Sequence, residues 1–297
     1  MLIGSKFTPV NRSTILARDV IPMPDLEFPA VAAFIAETTG IEFKLNKKYL
    51  LENRLSPRLK ELGCKTYKDY ILYLKYDQTK KEFHKLTTAI TINETSFLRN
   101  PPQLEAFQNI VLPKIIQAAK SRIPNTIKIW SAGCSSGEEP YSLGLLSMEK
   151  YPGLSTTKQL QILATDIDDE IIAKASKGHY GQLTLRNLSP HQLNTFFKNN
   201  GTQYEINQNI RSLVKFSNLN LSDSARMRLL RDIDVIFFRN VMIYFGTETR
   251  KKIISNMYDS LRPGGYLFLG HSESLHGISK AFKLTNLGKS MVYYKEL

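Results

Sequence analysis

What this chain has little of narrows it first. It contains only two cysteines, Cys64 and Cys134, which lie far apart and outside any metal-binding spacing. A disulfide framework and a cysteine-based zinc site are therefore excluded, and reduced thiols in a cytoplasmic protein are expected. No apolar run reaches the roughly 18 residues of a membrane-spanning helix, and the opening MLIGSKFTPVNRST lacks the apolar core of a signal peptide. The histidines, His84, His179, His191, His271 and His276, show no ligand spacing, so no metal is expected. Acidic residues are scarce beside basic ones, 27 against 40, which leaves a net charge of +13. Nucleic acid, an anionic membrane surface and an acidic protein are the partner classes such a charge admits. Twelve Lys/Arg against five Asp/Glu fall between Lys44 and Lys85, so much of the excess lies in the first third.

What is present is a chain of 297 residues, 42% apolar, enough for one large or two modest domains. Residues 1–24 show no periodicity and read as an arm. Leu26, Val31, Phe34 and Ile35 then recur at helical spacing up to Gly40. A second helix presents Leu51, Leu55, Leu59 and Leu62 on one face and stops at Gly63, with Pro57 expected to kink or restart it. Lys47, Arg54 and Arg58 share a stripe beside that face. The stripe is either a solvated face or a docking surface for an acidic helical partner. Helices near Tyr67–Tyr76 and Lys80–Thr91 complete an all-helical domain over 25–92, and Pro101-Pro102 closes a linker over 93–102. Asn-Pro-Pro followed by an aromatic would point to base-flipping methyltransferases, but Gln103 follows here.

From 103 to 297 buried strands alternate with helices, the pattern of a doubly wound, mostly parallel sheet. Apolar runs at Ile127–Trp130, Leu160–Ala164, Leu213–Phe216, Asp234–Phe238 and Tyr266–Gly270 are its strands, and the last residues read as a hairpin around Gly288. The polar stretch 178–211 interrupts the alternation and reads as an inserted β-subdomain. Ligands of such sheets bind beyond the carboxyl ends of the strands. There the chain places Ser131–Gly137, Asp166, Asn218–Leu221 and Arg239-Asn240. The first of these turns opens a helix on Glu138-Glu139, a poor cradle for phosphate at a positive helix N-terminus. Asp166 is the residue type that holds ribose hydroxyls, although it lies 33 residues past Gly133, farther than in a dinucleotide fingerprint. A nucleoside site that is not a phosphate site follows. Cys134 reads as a space-filler.

SAGCSSGEEPYS (131–142), ATDID (164–168) and FFRNVMIYF (237–245), with NETSFLR (93–99) and GHSE (270–273), resemble the CheR family. These are the chemoreceptor glutamate methyltransferases that use S-adenosyl-L-methionine. Leu98 stands where the family usually has a second Phe, and Pro57 within the basic helix is a further departure. The resemblance implies a Rossmann-like class I methyltransferase sheet with the inserted subdomain, preceded by the helical domain. Carried over by motif position, it implies cofactor contacts at Asn93, Thr95, Arg99, Glu138, Asp166, Asn220, Leu221 and Asn240. Arg99, Arg239 and Tyr244 would steer carboxylates at the reacting centre. Lys47, Arg54 and Arg58 would meet the acidic helices of a chemoreceptor cytoplasmic region. The insertion lacks a glycine-rich loop, which argues against a tether for a receptor C-terminal peptide. A monomer that binds no nucleic acid and inserts in no membrane is expected, and a non-catalytic signalling scaffold is the other reading of the same fold.

Overall fold

The computed structural model describes residues 20–156 and 159–297; residues 1–19 of the expected arm lie outside them. The chain divides into two compact units, 20–35 with Phe43–Ile90, and Ala36–Glu42 with Thr91–Leu297.

The first unit is built on α1 (Phe28–Thr39, its last turn counted with the second unit), α2 (Lys48–Leu62), α3 (Tyr67–Tyr76) and α4 (Lys81–Ile90). Val31, Ile35, Leu51, Leu55, Leu59, Tyr70, Leu74 and Leu86 form its core. Leu26, expected on the apolar face of the first helix, precedes that helix and is 95% exposed. Pro57 does not interrupt α2, which runs unbroken to a left-handed Gly63. The N–H that proline lacks would have met the carbonyl of Asn53, and both residues lie on the exposed face, where water can satisfy that carbonyl. Residues 20–24 are held on this unit. The Ile21 N–H donates to Ser56 Oγ at 2.9 Å, Tyr67 Oη donates to the Ile21 carbonyl at 2.7 Å, and the Met23 N–H donates to Glu52 Oε1 at 2.9 Å.

In the second unit, α5 (Pro101–Ala106) continues through a π-helical stretch, Phe107–Val111, into α6 (Leu112–Ala119). There follow β1 (Ile127–Ala132), α7 (Glu138–Lys150), α8 (Gly153–Thr156), β2 (Leu160–Asp166) and α9 (Asp169–Lys177). The insertion contributes β3 (His179–Tyr180), α10 (Pro190–Phe196), β4 (Phe197–Asn199), β5 (Tyr204–Ile206) and α11 (Gln208–Arg211). Then come β6 (Val214–Asn218), α12 (Ser224–Met227), β7 (Ile233–Phe238), α13 (Thr247–Ser260), β8 (Leu261–Leu269), β9 (Lys283–Leu287) and β10 (Ser290–Tyr294). The main sheet has the order β6-β2-β1-β7-β8-β10-β9, and β3-β5-β4 form a separate three-stranded sheet. Strands β6 to β8 are parallel, while β10 runs antiparallel between β8 and β9.

Strand order reverses at β1, whose neighbours are β2 and β7, so the crevice for a ligand opens at the carboxyl ends of these strands. Their burial explains their composition: every residue of β7 is buried, and Phe237 stacks on Phe268 of β8 at 4.5 Å. Trp130 is fully buried on β1 and donates its indole N–H to Thr165 Oγ1 of β2 at 2.9 Å, which ties the register of the two strands just below the crevice.

Candidate functional site

The turn after β1 is built by backbone that ordinary residues avoid. Gly133, Ser135 and Gly137 all have positive φ, at 78°, 49° and 93°. The turn folds back over the end of β2, where the Gly133 and Cys134 N–H groups donate to the Thr165 carbonyl at 2.7 and 2.9 Å. Asp166, the last residue of β2, is 8% exposed and accepts the Ser135 N–H at 2.8 Å and the Asp168 N–H at 3.2 Å. Burial pushes its carboxyl above the usual range, opposed by those backbone donors. Asp168 caps α9 by accepting from the Glu170 and Ile171 N–H groups, and it also accepts from Asn93 Nδ2 at 3.1 Å. The Asn93 carbonyl takes the Ser135 hydroxyl at 3.1 Å. Asn93, Asp166 and the β1 turn are thus brought together, with Thr95 half-buried in the same segment.

The two acids that open α7 part company. Glu138 is 2% exposed, accepts the Ser136 hydroxyl at 2.6 Å, and has its carboxyl pushed up by burial. No ion pair reaches Glu138 or Asp166 among the described residues. Glu139 accepts the Ser131 hydroxyl at 2.7 Å and pairs with Arg239 Nη1 at 3.1 Å. Arg239 is buried, and its Nη2 donates to the Arg99 carbonyl at 2.7 Å, which leaves its Nε without a partner among the described residues. Its guanidinium therefore fastens the backbone of the Asn93–Arg99 segment to α7. The Arg99 side chain itself is exposed and donates to the Glu94 carbonyl at 3.2 Å.

Glu273, within GHSE, clamps the ends of two neighbouring strands. One carboxylate oxygen accepts the Asn240 N–H at 2.8 Å and the Gly270 N–H at 2.7 Å, and the other accepts the Ile243 N–H at 3.3 Å. This holds Asn240 at φ 62° and sets the turn Met242–Tyr244 that carries a half-buried Tyr244. The Tyr244 carbonyl accepts the Glu42 N–H at 2.9 Å, and Ile41 bridges to Phe245. Gly270 admits this arrangement only because it lacks a side chain: a Cβ there would lie 2.5 Å from Glu273 Oε2 and 2.8 Å from the Asn240 N. Gly270→Ala is accordingly expected to lower kcat/KM about tenfold in a protein that still folds, since small misplacements of reacting groups are costly. Steady-state kinetics beside a melting curve checks it.

Asn220 does not offer its amide to a ligand here. Its Nδ2 donates to the Thr38 carbonyl at 2.9 Å and its Oδ1 accepts the Ser222 N–H and hydroxyl, so it braces the segment Ala36–Glu42. Leu221 beside it is buried. In the basic stripe, Lys47 is exposed, Arg54 donates to the Ile90 carbonyl at 2.7 Å, and Arg58 is absorbed in ion pairs with Glu82 and Glu61. Among the described residues no group of three or more His, Cys, Asp or Glu is placed to hold a metal ion, and no helix is long and apolar enough to cross a membrane. Cys134 is buried and its thiol is pushed up by burial, which makes it inert filler beneath the turn.

The residues sequence reasoning passed over are Glu139, Asp168, Tyr180 and Glu273, all of which act on backbone or on another side chain. Three of them, Glu139, Asp168 and Glu273, stood inside motifs already singled out, and an acid close to a strand-end glycine was the available signal for Glu273.

Residues 93–291 match the family model described as the SAM-binding domain of CheR methyltransferase, and residues 26–91 match its all-alpha domain. Chemotaxis protein methyltransferase 2 of Vibrio cholerae is 37% identical over 276 residues, covering 93% of this chain and 94% of its own length. Chemotaxis protein methyltransferase 1 of Pseudomonas aeruginosa is 34% identical over 273 residues, 90% of this chain and 97% of the relative. The chemotaxis protein methyltransferase of Vibrio parahaemolyticus is 34% identical over 278 residues, 92% and 98% of the two chains.

Proposed function

The chain belongs to the CheR methyltransferase family, and from that membership we propose that it methylates glutamate side chains of chemoreceptor cytoplasmic helices, acting as a monomer in the cytoplasm. It is an S-adenosyl-L-methionine-dependent methyltransferase. One observation carries the cofactor reading: two buried carboxylates, Asp166 and Glu138, face the carboxyl ends of β1 and β2 without an ion-pair partner among the described residues. Buried carboxylates without cations call for a ligand that brings donors of its own. Ribose hydroxyls on Asp166 and an ammonium near Glu138 meet that demand, and an anionic phosphate would not.

When bound, S-adenosyl-L-methionine supplies a methyl group activated on a sulfonium. The acceptor needs no base from the protein, because a glutamate side chain with a pKa of about 4.3 is ionised at neutral pH. The protein's task is to align the acceptor oxygen and keep water away. Arg99 and Tyr244 are assigned to that alignment: Arg99 has an exposed guanidinium on a segment whose backbone Arg239 fixes, and Tyr244 sits on the turn fixed by Glu273. Arg239 acts through Arg99 and does not meet the acceptor itself, its Nη atoms being engaged. Asn93, Thr95, Leu221 and the Asn240 turn would line the cofactor, with Asn220 shaping the loop from below. The helical domain, 25–92, would present Lys47 to acidic receptor helices, with Arg54 and Arg58 serving the domain's own packing.

The test is incubation with methyl-labelled S-adenosyl-L-methionine and, in separate vessels, a chemoreceptor cytoplasmic fragment and nucleic acid. Base-labile label on the receptor fragment, the signature of a carboxyl methyl ester, is expected. Label on nucleic acid alone, or cofactor binding without transfer to the fragment, overturns the reading.

A further inference from the structure

We propose that the inserted segment 178–211 is the platform that positions the cofactor site, with Tyr180 and Asn187 as positioning residues. The inference rests on the reading above that the β1 turn and the Asn93–Arg99 segment hold S-adenosyl-L-methionine. Both are irregular loops, and each is gripped by the insertion through its backbone. Phe97, at the centre of the Asn93–Arg99 segment, donates its N–H to the Thr184 carbonyl at 3.0 Å, and its own carbonyl accepts from Asn187 Nδ2 at 3.0 Å. Its ring is fully buried and meets Tyr180 and Phe197 edge-on, with centroids 4.8 and 5.2 Å away.

Tyr180 grips the other loop as well. Its hydroxyl donates to the Ser136 carbonyl at 2.8 Å, and the Ser136 hydroxyl donates in turn to Glu138 Oε2 at 2.6 Å. A Cβ on Gly137 would come within 2.9 Å of the Tyr180 hydroxyl, so the turn is moulded on this residue. Burial holds the Tyr180 hydroxyl well above its ordinary pKa, so it remains a donor at any working pH. The inserted segment thus sets the path of both loops that would enclose the cofactor, and of the buried Glu138. Backbone bonds of this kind fix loop geometry whatever the side chains do, and they couple the two ends: a ligand that orders the loops must order the insertion, and a disturbed insertion must weaken the ligand.

The experiment measures S-adenosyl-L-homocysteine binding by calorimetry, at a temperature where melting curves show each protein fully folded. Tyr180→Phe and Asn187→Ala are each expected to weaken binding about fivefold, the scale of one hydrogen bond. Asn187 is exposed, so its variant carries the test should Tyr180→Phe fold poorly. A purely structural role would lower the melting temperature and leave the dissociation constant of the folded protein unchanged. Hydrogen exchange supplies the reciprocal reading: amides of β3, β4 and β5 in the wild type should exchange more slowly once S-adenosyl-L-homocysteine is bound. Wild-type affinity in the folded variants, or exchange in these strands that ignores the ligand, overturns the inference alone. Failure of the wild-type protein to bind S-adenosyl-L-homocysteine overturns the proposed function and the inference with it.

Discussion

Asp166→Ala is expected to weaken S-adenosyl-L-homocysteine binding about a hundredfold while the protein stays folded. Hydrogen bonds to an ionised carboxylate contribute about 1.5–3 kcal/mol each. Losing the pair that a ribose diol can make therefore removes on the order of 3 kcal/mol, or about two decades in affinity. The substitution also frees the Ser135 and Asp168 N–H groups that Asp166 now accepts, which loosens the turn and acts in the same direction. Calorimetric titration checks the value, and an unchanged affinity would remove the ribose assignment. The same site fixes a pH dependence. Burial raises the carboxyls of Asp166 and Glu138 above their ordinary 3.8 and 4.5. Over the window just above those values the folded protein keeps protons that the unfolded chain has released. Their contribution to stability is therefore fully present below that window and lost as pH rises through the folded values. A ligand that brings hydroxyls and an ammonium favours the ionised forms and releases those protons on binding. Affinity should then climb with pH through that window and level off towards neutrality, whereas Asp166→Ala should flatten the climb.

How far such a site can be read from sequence depends on what kind of atom does the work. The strands were legible because β1 and β7 are buried on both faces, and β2 nearly so apart from Gln161, and so they consist of near-continuous apolar runs. Their mostly parallel arrangement followed from alternation with helices, and the acid at the end of β2 followed from the place where doubly wound sheets bind ligands. Pattern could not separate Glu138 from its neighbour. The two acids are adjacent, and only their directions in the first turn of α7 decide that one is buried against the Ser136 hydroxyl while the other meets Arg239. The same limit hid Glu273 and Tyr180, whose partners are backbone groups distant in sequence. Arg58 shows a third limit. Helical spacing puts it on a stripe with Arg54, while Lys47 lies in the turn just before α2; spacing is blind to the acid that α4 brings from 24 residues away.

That acid makes Arg58→Ala the largest expected loss of stability. Glu82 is 4% exposed and accepts from Arg58 through both oxygens, at 2.9 and 2.7 Å, and from Tyr70 Oη at 2.9 Å. The pair holds the Arg58 guanidinium well above its ordinary value and burial beside Glu82 pushes the Tyr70 hydroxyl up, as expected of a bidentate, largely desolvated pair. Removing one partner of a buried pair costs about 3–5 kcal/mol. The Arg58 side chain is still 13% exposed, so water can enter the gap, and about 2–3 kcal/mol is the fitting expectation. In a unit of this size that lowers the melting temperature by roughly 10 °C or more. Lys47→Ala, on an exposed side chain, should stay within about 0.5 kcal/mol of wild type. The paired replacement Arg58→Met with Glu82→Leu separates packing from docking, because it removes both charges together and should recover part of the lost stability, the Tyr70 hydroxyl being left without its acceptor. If Arg58 serves the core, this double variant methylates a receptor fragment at close to the wild-type rate, whereas Lys47→Ala, stable throughout, methylates it more slowly and loses that deficit as salt is raised. A double variant that is stable yet slow would return Arg58 to the docking surface.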